Sequence, residues 1–354
     1  MQIEYLFPLS KWSDIKIFLE NNYRCDLALC NQAIFKWQFQ HTSDNEKVQM
    51  VHAYDAEQLV GILGYREHAM FWGDYNHPLK VAWFMNWMVD EKYRNGLGRV
   101  LLRKLLKKYP LLLSIGANEK NEKIVKELGW KFYPYIKRYI AVINESEVKA
   151  LTQNDISNYM LKVLPSGPLK SLQVTSQYEP DWSLYASMKY AIIRSKEYLQ
   201  WRYFAHPAFE YRAYYIGDAH RPAVCIYRIE NAFGAFHKRV CKIVDFYHPS
   251  DTQGVQEALI LLGSISGLLQ KEGVIYMDFT TSSQEYGETL LKAGFGIEPE
   301  GKQVLPARLT PVELKPKIYN FEHSDKNISK VTLDEMYISW ADCDEDRVAS
   351  LNLL

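Results

Sequence analysis

Long apolar runs are missing from this sequence of 354 residues. The longest, Ala258 to Leu269, is broken by glycines and serines and falls well short of the ~20 residues a spanning helix needs, so no membrane span is expected. A net charge is missing too. The 42 Lys+Arg are balanced by 42 Asp+Glu, which excludes a whole-chain basic footprint and makes nucleic acid a poor partner. The five cysteines, Cys25, Cys30, Cys225, Cys241 and Cys343, form no CxxC pair and are odd in number, which fits reduced thiols in a cytoplasm. Histidines and cysteines show no zinc-like spacing, and no metal is expected. The N-terminal MQIEYLFPLSKW has no basic stretch ahead of an apolar one, so it does not read as a signal peptide.

What is present is ordinary core material. An apolar fraction of 47% with 24% charged residues excludes disorder throughout, and at ~150 residues per domain the length suggests two domains. Val48 to Tyr54 and Leu59 to Tyr65 read as a hairpin, and Val81 to Val89 as an interior strand. Leu97 to Tyr109 turns to helical period, with Leu97, Leu101, Leu105 and Leu106 on one stripe. A strand at Leu111 to Ile115 and a helix from Asn118 to Leu128 follow, the helix stopped by Gly129, with one or two strands within Trp130 to Ile143.

Beyond a polar stretch from Asn144 to about Leu184, a helix is expected to start at Ser187 and run through Arg194. Strands are expected at Tyr211 to Ile216, Ala223 to Glu230, Val240 to Tyr247 and Gly273 to Thr280, and helices at Val255 to Gln270 and Gln284 to Lys292. The two halves share an order: strand, helix, strand, helix, then Leu128-Gly129-Trp130 in one and Ala293-Gly294-Phe295 in the other. A mixed-sheet α/β architecture of two tandem units follows, divided as 1–145 and 146–354, with a cleft between them as the expected binding site.

The sharpest local signal is Val89-Asp90-Glu91-Lys92-Tyr93-Arg94-Asn95-Gly96-Leu97-Gly98-Arg99, which follows a strand and opens a helix. Two glycines leave the backbone uncovered there, amides at a helix start favour anionic oxygens, and Arg94 and Arg99 add charge. It is neither a dinucleotide fingerprint, since Leu101 stands where a third glycine would, nor a Walker A loop, since no GK[ST] follows.

This segment resembles the acetyl-coenzyme A binding turn of the GNAT superfamily of N-acetyltransferases, with Gly96 and Gly98 at its small positions and Tyr93 at its Arg/Gln anchor. The stretch from Asn121 to Gly129-Trp130 is similar to that family's second motif. The resemblance implies a splayed pair of strands holding a pantetheine arm against backbone near Asn86, Trp87, Met88 and Val89. It places a pyrophosphate on amides of Asn95, Gly96, Leu97, Gly98, Arg99 and Val100. Where many members carry a thiolate-protonating tyrosine, Val125 stands here, with Tyr133 or Tyr135 as substitutes. The second half offers His248-Pro-Ser-Asp-Thr-Gln-Gly254 instead of a cationic turn, so it is read as a degenerate copy that holds the acceptor.

The layout, with WRYFAHP at Trp201 to Pro207 and SWADCDEDR at Ser339 to Arg347, is similar to two-domain bacterial acyltransferases of surface-polysaccharide sugars. That implies acetyl-CoA or 3-hydroxybutanoyl-CoA as donor and a dTDP- or UDP-linked amino-deoxysugar as acceptor, in a cytoplasmic monomer or homodimer. Amine acylation by direct attack needs a proton acceptor tuned near neutrality. The expected candidates are Asp245, His248, His206 and Glu285, with Asp90 and His77 beside them. Tyr185, Tyr190, Trp201 and Tyr203 offer ring faces for a sugar or base, or for a core. Asp342, Asp344, Glu345 and Asp346 lack a calcium loop and read as a solvated tail. Other readings are a peptidoglycan-type aminoacyl transferase, a small-molecule amine acetyltransferase, and a non-catalytic interaction module.

Overall fold

Period-two and period-3.6 patterns alternate along the chain, and the structure, a computed structural model, follows them. It describes residues 1–23, 27–40, 44–116, 119–173, 177–232, 237–309, 312–313, 319–325, 330–342 and 346. Cys25, Asn118, Cys343, Asp344, Glu345 and Arg347 lie outside these residues.

The first half carries β1 (Gln2–Pro8), α1 (Trp12–Asn22), α2 (Gln32–Phe39), β2 (Lys47–Asp55), β3 (Gln58–Trp72), β4 (Leu79–Val89), α3 (Leu97–Lys108), β5 (Leu111–Ile115), α4 (Glu119–Glu127), β6 (Lys131–Tyr133) and β7 (Arg138–Val142). Then come α5 (Glu145–Lys149), β8 (Lys170–Ser171), β9 (Tyr190–Ile192), α6 (Lys196–Leu199), β10 (Arg212–Ile216), β11 (Ala223–Asn231), β12 (Arg239–Tyr247), α7 (Thr252–Lys271), β13 (Val274–Thr280), α8 (Gln284–Ala293) and β14 (Gly296–Ile297). A small hairpin of β15 (Arg308–Leu309) and β16 (Val312–Glu313) precedes β17 (Phe321–Asp325). No helix among the described residues is long and apolar enough to cross a membrane.

Two mixed sheets result, ordered β1-β2-β3-β4-β5-β17-β6 and β14-β7-β13-β12-β11-β10-β8. The first takes β17 and β9 from the other half of the chain, and the second takes β7. β17 lies between β5 and β6, with Phe321 opposite both Ile115 and Tyr133. β7 lies between β13 and β14, with Ile140 opposite Asp278 and Gly296. The expected division after residue 145 therefore separates the two halves in sequence but not in their sheets. The short strand β9, within the stretch from Ser187 to Arg194 expected to be helical, pairs with β3 from Met70 to Trp72. The sequence Tyr-Ala-Ile there offers ring and branched side chains suited to a pleated surface, and the sheet edge supplies the partners.

Both faces of the first sheet are covered. Phe18 and Leu19 of α1 and Ile34, Phe35 and Phe39 of α2 pack with Val48, Met50 and Ile62 on one face. Leu101, Leu102 and Leu105 of α3 and Val125 of α4 pack with Leu63, Phe84 and Leu112 on the other. Truncating a leucine as buried as Leu101 costs about 2–5 kcal/mol. Met70, Val81, Trp83 and Leu113 continue the α1–α2 face into a core shared with the second half. The helices α4 and α8 stop at matching places, on Gly129 (φ +77°) and Gly294 (φ +97°), where a left-handed residue costs glycine nothing.

Candidate functional site

The two units repeat one detail of strand geometry. β4 has one residue more than β3 between Met85 and Met88, which face Gly64 and Ile62, and Asn86 in this bulge sits at φ +53°. The amide of Gln38 on α2 steadies it, donating to Asn86 Oδ1 at 3.2 Å. On its other side β4 pairs with β5 only at Ala82–Leu112 and Trp83–Leu113, and then runs on to Val89 without a β5 partner. A slot opens between the two strands from Phe84 onward.

At the mouth of this slot the chain turns into α3. Gly96 is the residue before the helix, at φ +108°, with no side-chain cap, and a Cβ placed there would meet nothing within 4 Å. The first amide of α3 with a backbone acceptor is that of Val100, on Gly96 O at 3.2 Å. Those of Leu97, Gly98 and Arg99 have no acceptor among the described residues, so the positive end of the helix faces outward unsatisfied. Arg94 is anchored beside it, its Nε donating to Val89 O at 3.1 Å. Arg99 is turned away to an ion pair with Glu127 of α4 that is nearly half exposed on both sides. Trp87 floors the turn, donating to Gly98 O at 3.2 Å and leaving a Cβ on Gly98 only 3.1 Å from its ring nitrogen. Met88 and Val89 end β4 at the slot, Met88 packed toward the α1–α2 core and Val89 toward the α3–α4 core. Asn121 lies in α4.

The second unit has the same slot and closes it. β12 bulges at Val244, between Ile243 and Asp245, and parts from β13 after Lys242–Asp278. The chain's own Met336 to Asp342 fills the gap. Ser282 N donates to Ile338 O at 3.0 Å, and Tyr337 OH accepts from Phe246 N on the unpaired part of β12 at 3.0 Å. Its helix start is blocked as well. Asp251 caps α7, accepting from Gly254 N at 2.6 Å, and is itself held by both oxygens on Arg221 at 2.9 Å. A carboxylate in that place satisfies the free amides and repels a second anion. Gly254 is needed there because a Cβ would lie 2.2 Å from Pro249 O.

No protein-family model matches the sequence, and no curated protein matches it significantly. Solved structures do match the fold. A GCN5-related N-acetyltransferase from Anabaena variabilis ATCC 29413 superposes with a TM-score of 0.56 at 12% identity, over 92% of this chain and 74% of that one. One from Kribbella flavida gives 0.56 at 10%, over 94% and 72%. Saccharomyces cerevisiae N-myristoyltransferase, solved with bound myristoyl-CoA, gives 0.53 at 10%, over 95% and 84%. This chain has the GCN5-related N-acetyltransferase fold. Its 354 residues are consistent with two such units.

Within the GNAT fold, the candidate acid–base residues do not converge on the open slot. Asp245 is fully buried, accepting from Arg194 Nε at 2.8 Å, Tyr203 OH at 2.8 Å and Tyr337 OH. These bonds tie it into a buried network, away from the open slot. His248 is equally buried, its Nδ1 donating to Pro249 O at 2.8 Å and its Nε2 facing Thr289 at 2.9 Å, with burial lowering its pKa. His206 accepts at Nδ1 from Phe209 N at 2.9 Å and stacks on Phe209, and burial with Arg202 nearby brings it down to about 3. His206 is therefore neutral near pH 7, and His248 is held below its ordinary value. Glu285 accepts from Ser187 Oγ at 2.7 Å and lines a cavity of about 400 Å³ with Tyr190, Glu288, Asp334 and Glu335. Because Tyr190 pairs with Trp72, that cavity lies level with the start of β4, away from the slot.

The remaining expected side chains have plain partners. Asp90 caps Lys92 N at 3.0 Å, and His77 pairs with Asp74 at the surface. Tyr133 OH donates to Val331 O at 3.3 Å and Tyr135 OH to Glu298 O at 2.5 Å. Tyr185 and Tyr203 are core residues, whereas Trp201 stacks on Trp37 and carries the Arg66 guanidinium 3.6 Å above its ring. The expectation of a solvated tail is corrected at Asp342 and Asp346, which are buried, on Arg194 and on Arg202 and Arg228. These arginines lie more than 100 residues upstream, so no local charge pattern announces the pairing.

Sequence reasoning missed the β4 bulge with Asn86 and its support from Gln38. It also missed β17, whose Glu322 and His323 are both buried with unpartnered polar atoms. A bulge leaves no signal in a run of apolar and aromatic residues, and Glu-His-Ser-Asp after Phe321 carries little signal for a strand.

Proposed function

We propose that this chain is an acyl-CoA-dependent N-acyltransferase whose first unit binds the donor. The observation that carries the reading is the contrast between the two units: an uncapped helix start beside Arg94 at an open slot in one, and a carboxylate-capped start at a filled slot in the other. Acyl transfer by fold relatives supports the same class of reaction. Amides of Leu97, Gly98 and Arg99 and the Arg94 guanidinium would hold the pyrophosphate, and the free edge of β4 would hold the pantetheine. When bound, the coenzyme supplies the activated thioester. A neutral amine is nucleophile enough to attack it directly, and free backbone amides of β4 along the slot would stabilise the developing oxyanion.

The donor is proposed to be acetyl-CoA or 3-hydroxybutanoyl-CoA, and the acceptor the amino group of a dTDP- or UDP-linked amino-deoxysugar in the cytoplasm. The acceptor rests on sequence likeness in the segments Trp201–Pro207 and Ser339–Arg347. Of these, Trp201 reaches the first unit, donating to Trp37 O, whereas Arg202, Asp342 and Asp346 make their bonds to Ala341, Arg194 and Arg202 within the second.

Titrating acetyl-CoA and 3-hydroxybutanoyl-CoA by calorimetry into wild type and Gly98→Trp tests the donor site. Binding to wild type that is lost in the folded variant is the expected result, followed by thiol release only with nucleotide-linked aminosugars among the amines screened. Absence of binding to wild type would overturn the coenzyme site and favour an interaction module. Release with a simple amine would move the acceptor to that class.

A further inference from the structure

Glu322 reaches the first sheet from the far end of the chain, on β17, directly opposite Ser114 of β5 and Phe132 of β6. Its residue is 1% exposed, and its Oε2 has no hydrogen-bond partner. A carboxyl buried with an orphaned oxygen in a sheet interior is costly and calls for a reason. Paired residues of antiparallel strands share a face, so Glu322 and Ser114 both lie under α3 and α4, beside Phe84, Leu112 and the Val125 of α4.

Position along the strands gives that reason. Ser114 follows Leu113, whose pairing with Trp83 is the last between β5 and β4, so it stands at the closed end of the slot. From Val89 at the mouth to Phe84 at that end is five residues of β4, roughly 16 Å at ~3.3 Å per residue. A pyrophosphate on the α3 turn and an extended pantetheine along β4 would thus bring sulfur to Ser114. Resting on the coenzyme site proposed above, we propose that Ser114 and Glu322 form a proton relay to that sulfur, Glu322 positioning and recharging the Ser114 hydroxyl.

The step balances without a further reactant. The amine nitrogen bonds to the carbonyl carbon, and the carbon–sulfur bond breaks with its electron pair on sulfur. Ser114 gives its proton to the sulfur and takes the proton of Glu322. The nitrogen releases its surplus proton to solvent, and Glu322 takes one back. Burial pushes the Glu322 carboxyl up to about 8, with Ser114 acting against it and the like charge of Glu122 on α4 adding to it, so the acid form is held at neutral pH.

Infrared difference spectroscopy in heavy water, wild type minus Glu322→Gln, isolates the carboxylic C=O band of Glu322, and the bound-minus-free spectrum of wild type reads the same band without any variant. Coenzyme A should shift it, desulfo-coenzyme A should leave it in place, and Ser114→Ala should abolish the shift. Acetyl-CoA should bind Glu322→Gln within about twofold of wild type by calorimetry, since a neutral isostere replaces a neutral acid. Coenzyme A that binds without moving the band overturns the relay while the coenzyme site stands, as does a shift that survives in Ser114→Ala. Absence of coenzyme binding overturns both.

Discussion

The backbone amide of Phe246 donates to the phenol of Tyr337 at 3.0 Å, and the same phenol donates to Asp245. An amide on the freed edge of β12 is thereby used by the chain itself, whereas the matching edge of β4 has no such plug among the described residues. Tyr337→Phe leaves the buried amide unsatisfied and takes a donor from Asp245, which should cost about 1–3 kcal/mol in chemical denaturation. It should not create a second coenzyme site, because Asp251 still caps α7. A calorimetric stoichiometry rising from one to two would contradict this account of the closed slot.

Arg94 is the exposed cation beside the free amides of α3, and its Nε bond to Val89 O fixes its base while leaving the rest of the guanidinium outward. Arg94→Ala should weaken acetyl-CoA binding about tenfold, the loss expected of one charge-assisted contact, and flatten its salt dependence. Arg99→Ala should change it much less, since Arg99 is committed to Glu127. Equal losses in titrations of the two variants would mean that Arg99 leaves its partner to meet the ligand.

Because β17 fills the space between β5 and β6, and β7 the space between β13 and β14, neither half holds a complete sheet. Residues 1–145 and 146–354 made separately should be insoluble or molten by near-ultraviolet circular dichroism. Co-expressed, they should recover native spectra by trading strands, with Arg138 of β7 again meeting Asp278 and Glu298. A stable, cooperatively unfolding 1–145 fragment would show the exchange to be dispensable.

The exchange also marks where sequence reasoning ends. The hairpin β2–β3, the interior strand β4 and the striped α3 are written in local periodicity and were expected within a few residues of where they lie, except that β3 runs on to Trp72, well past the expected end at Tyr65. The glycine turn before α3 was legible for the same reason, since its peculiarity is carried by Gly96 and Gly98 themselves. β17 was not, because Glu-His-Ser-Asp has weak strand propensity and is held by partners over 180 residues away. Asp346 reads as a solvated carboxylate, and Asp245 as a carboxylate with no named partner, until Arg194, Arg202 and Arg228 are brought to them by tertiary contacts.

His323 lies on the face of β17 opposite Glu322, fully buried, stacked on Tyr133 and edge-on to Trp72, with neither ring nitrogen partnered. Burial, with Lys131 adding to it, holds its pKa down at about 4. The unfolded chain takes up a proton near 6.5 that the folded chain refuses until about 4. Its contribution is therefore present above 6.5 and lost as pH falls through that window, about 3 kcal/mol at ~1.4 kcal/mol per unit. His323→Leu should be neutral or stabilising at pH 7.5 and should lose less stability than wild type on acidification. Parallel urea melts of the two proteins at both ends of the window check it, and identical acid losses would remove His323 as the cause.

Asp346 joins three elements at once: its Oδ1 accepts from Arg228 Nε at 2.9 Å, and its Oδ2 from Tyr211 OH at 2.6 Å and Arg202 Nη2 at 3.2 Å. Burial alone would raise its pKa, but Arg228 and Arg202 overcome it and hold the carboxyl at about 2. Asp346→Asn keeps the shape and removes the charge. Arg228 still has Glu230, whereas Arg202 is left with backbone carbonyls and Tyr211. Breaking a buried pair on one side costs about 3–5 kcal/mol, and at this depth salt does not screen it. A solvated tail would behave oppositely, with a loss below about 1 kcal/mol that shrinks as salt is added. Denaturant midpoints for wild type and Asp346→Asn at low and high salt distinguish the two, and the buried pairing requires a large difference that stays constant.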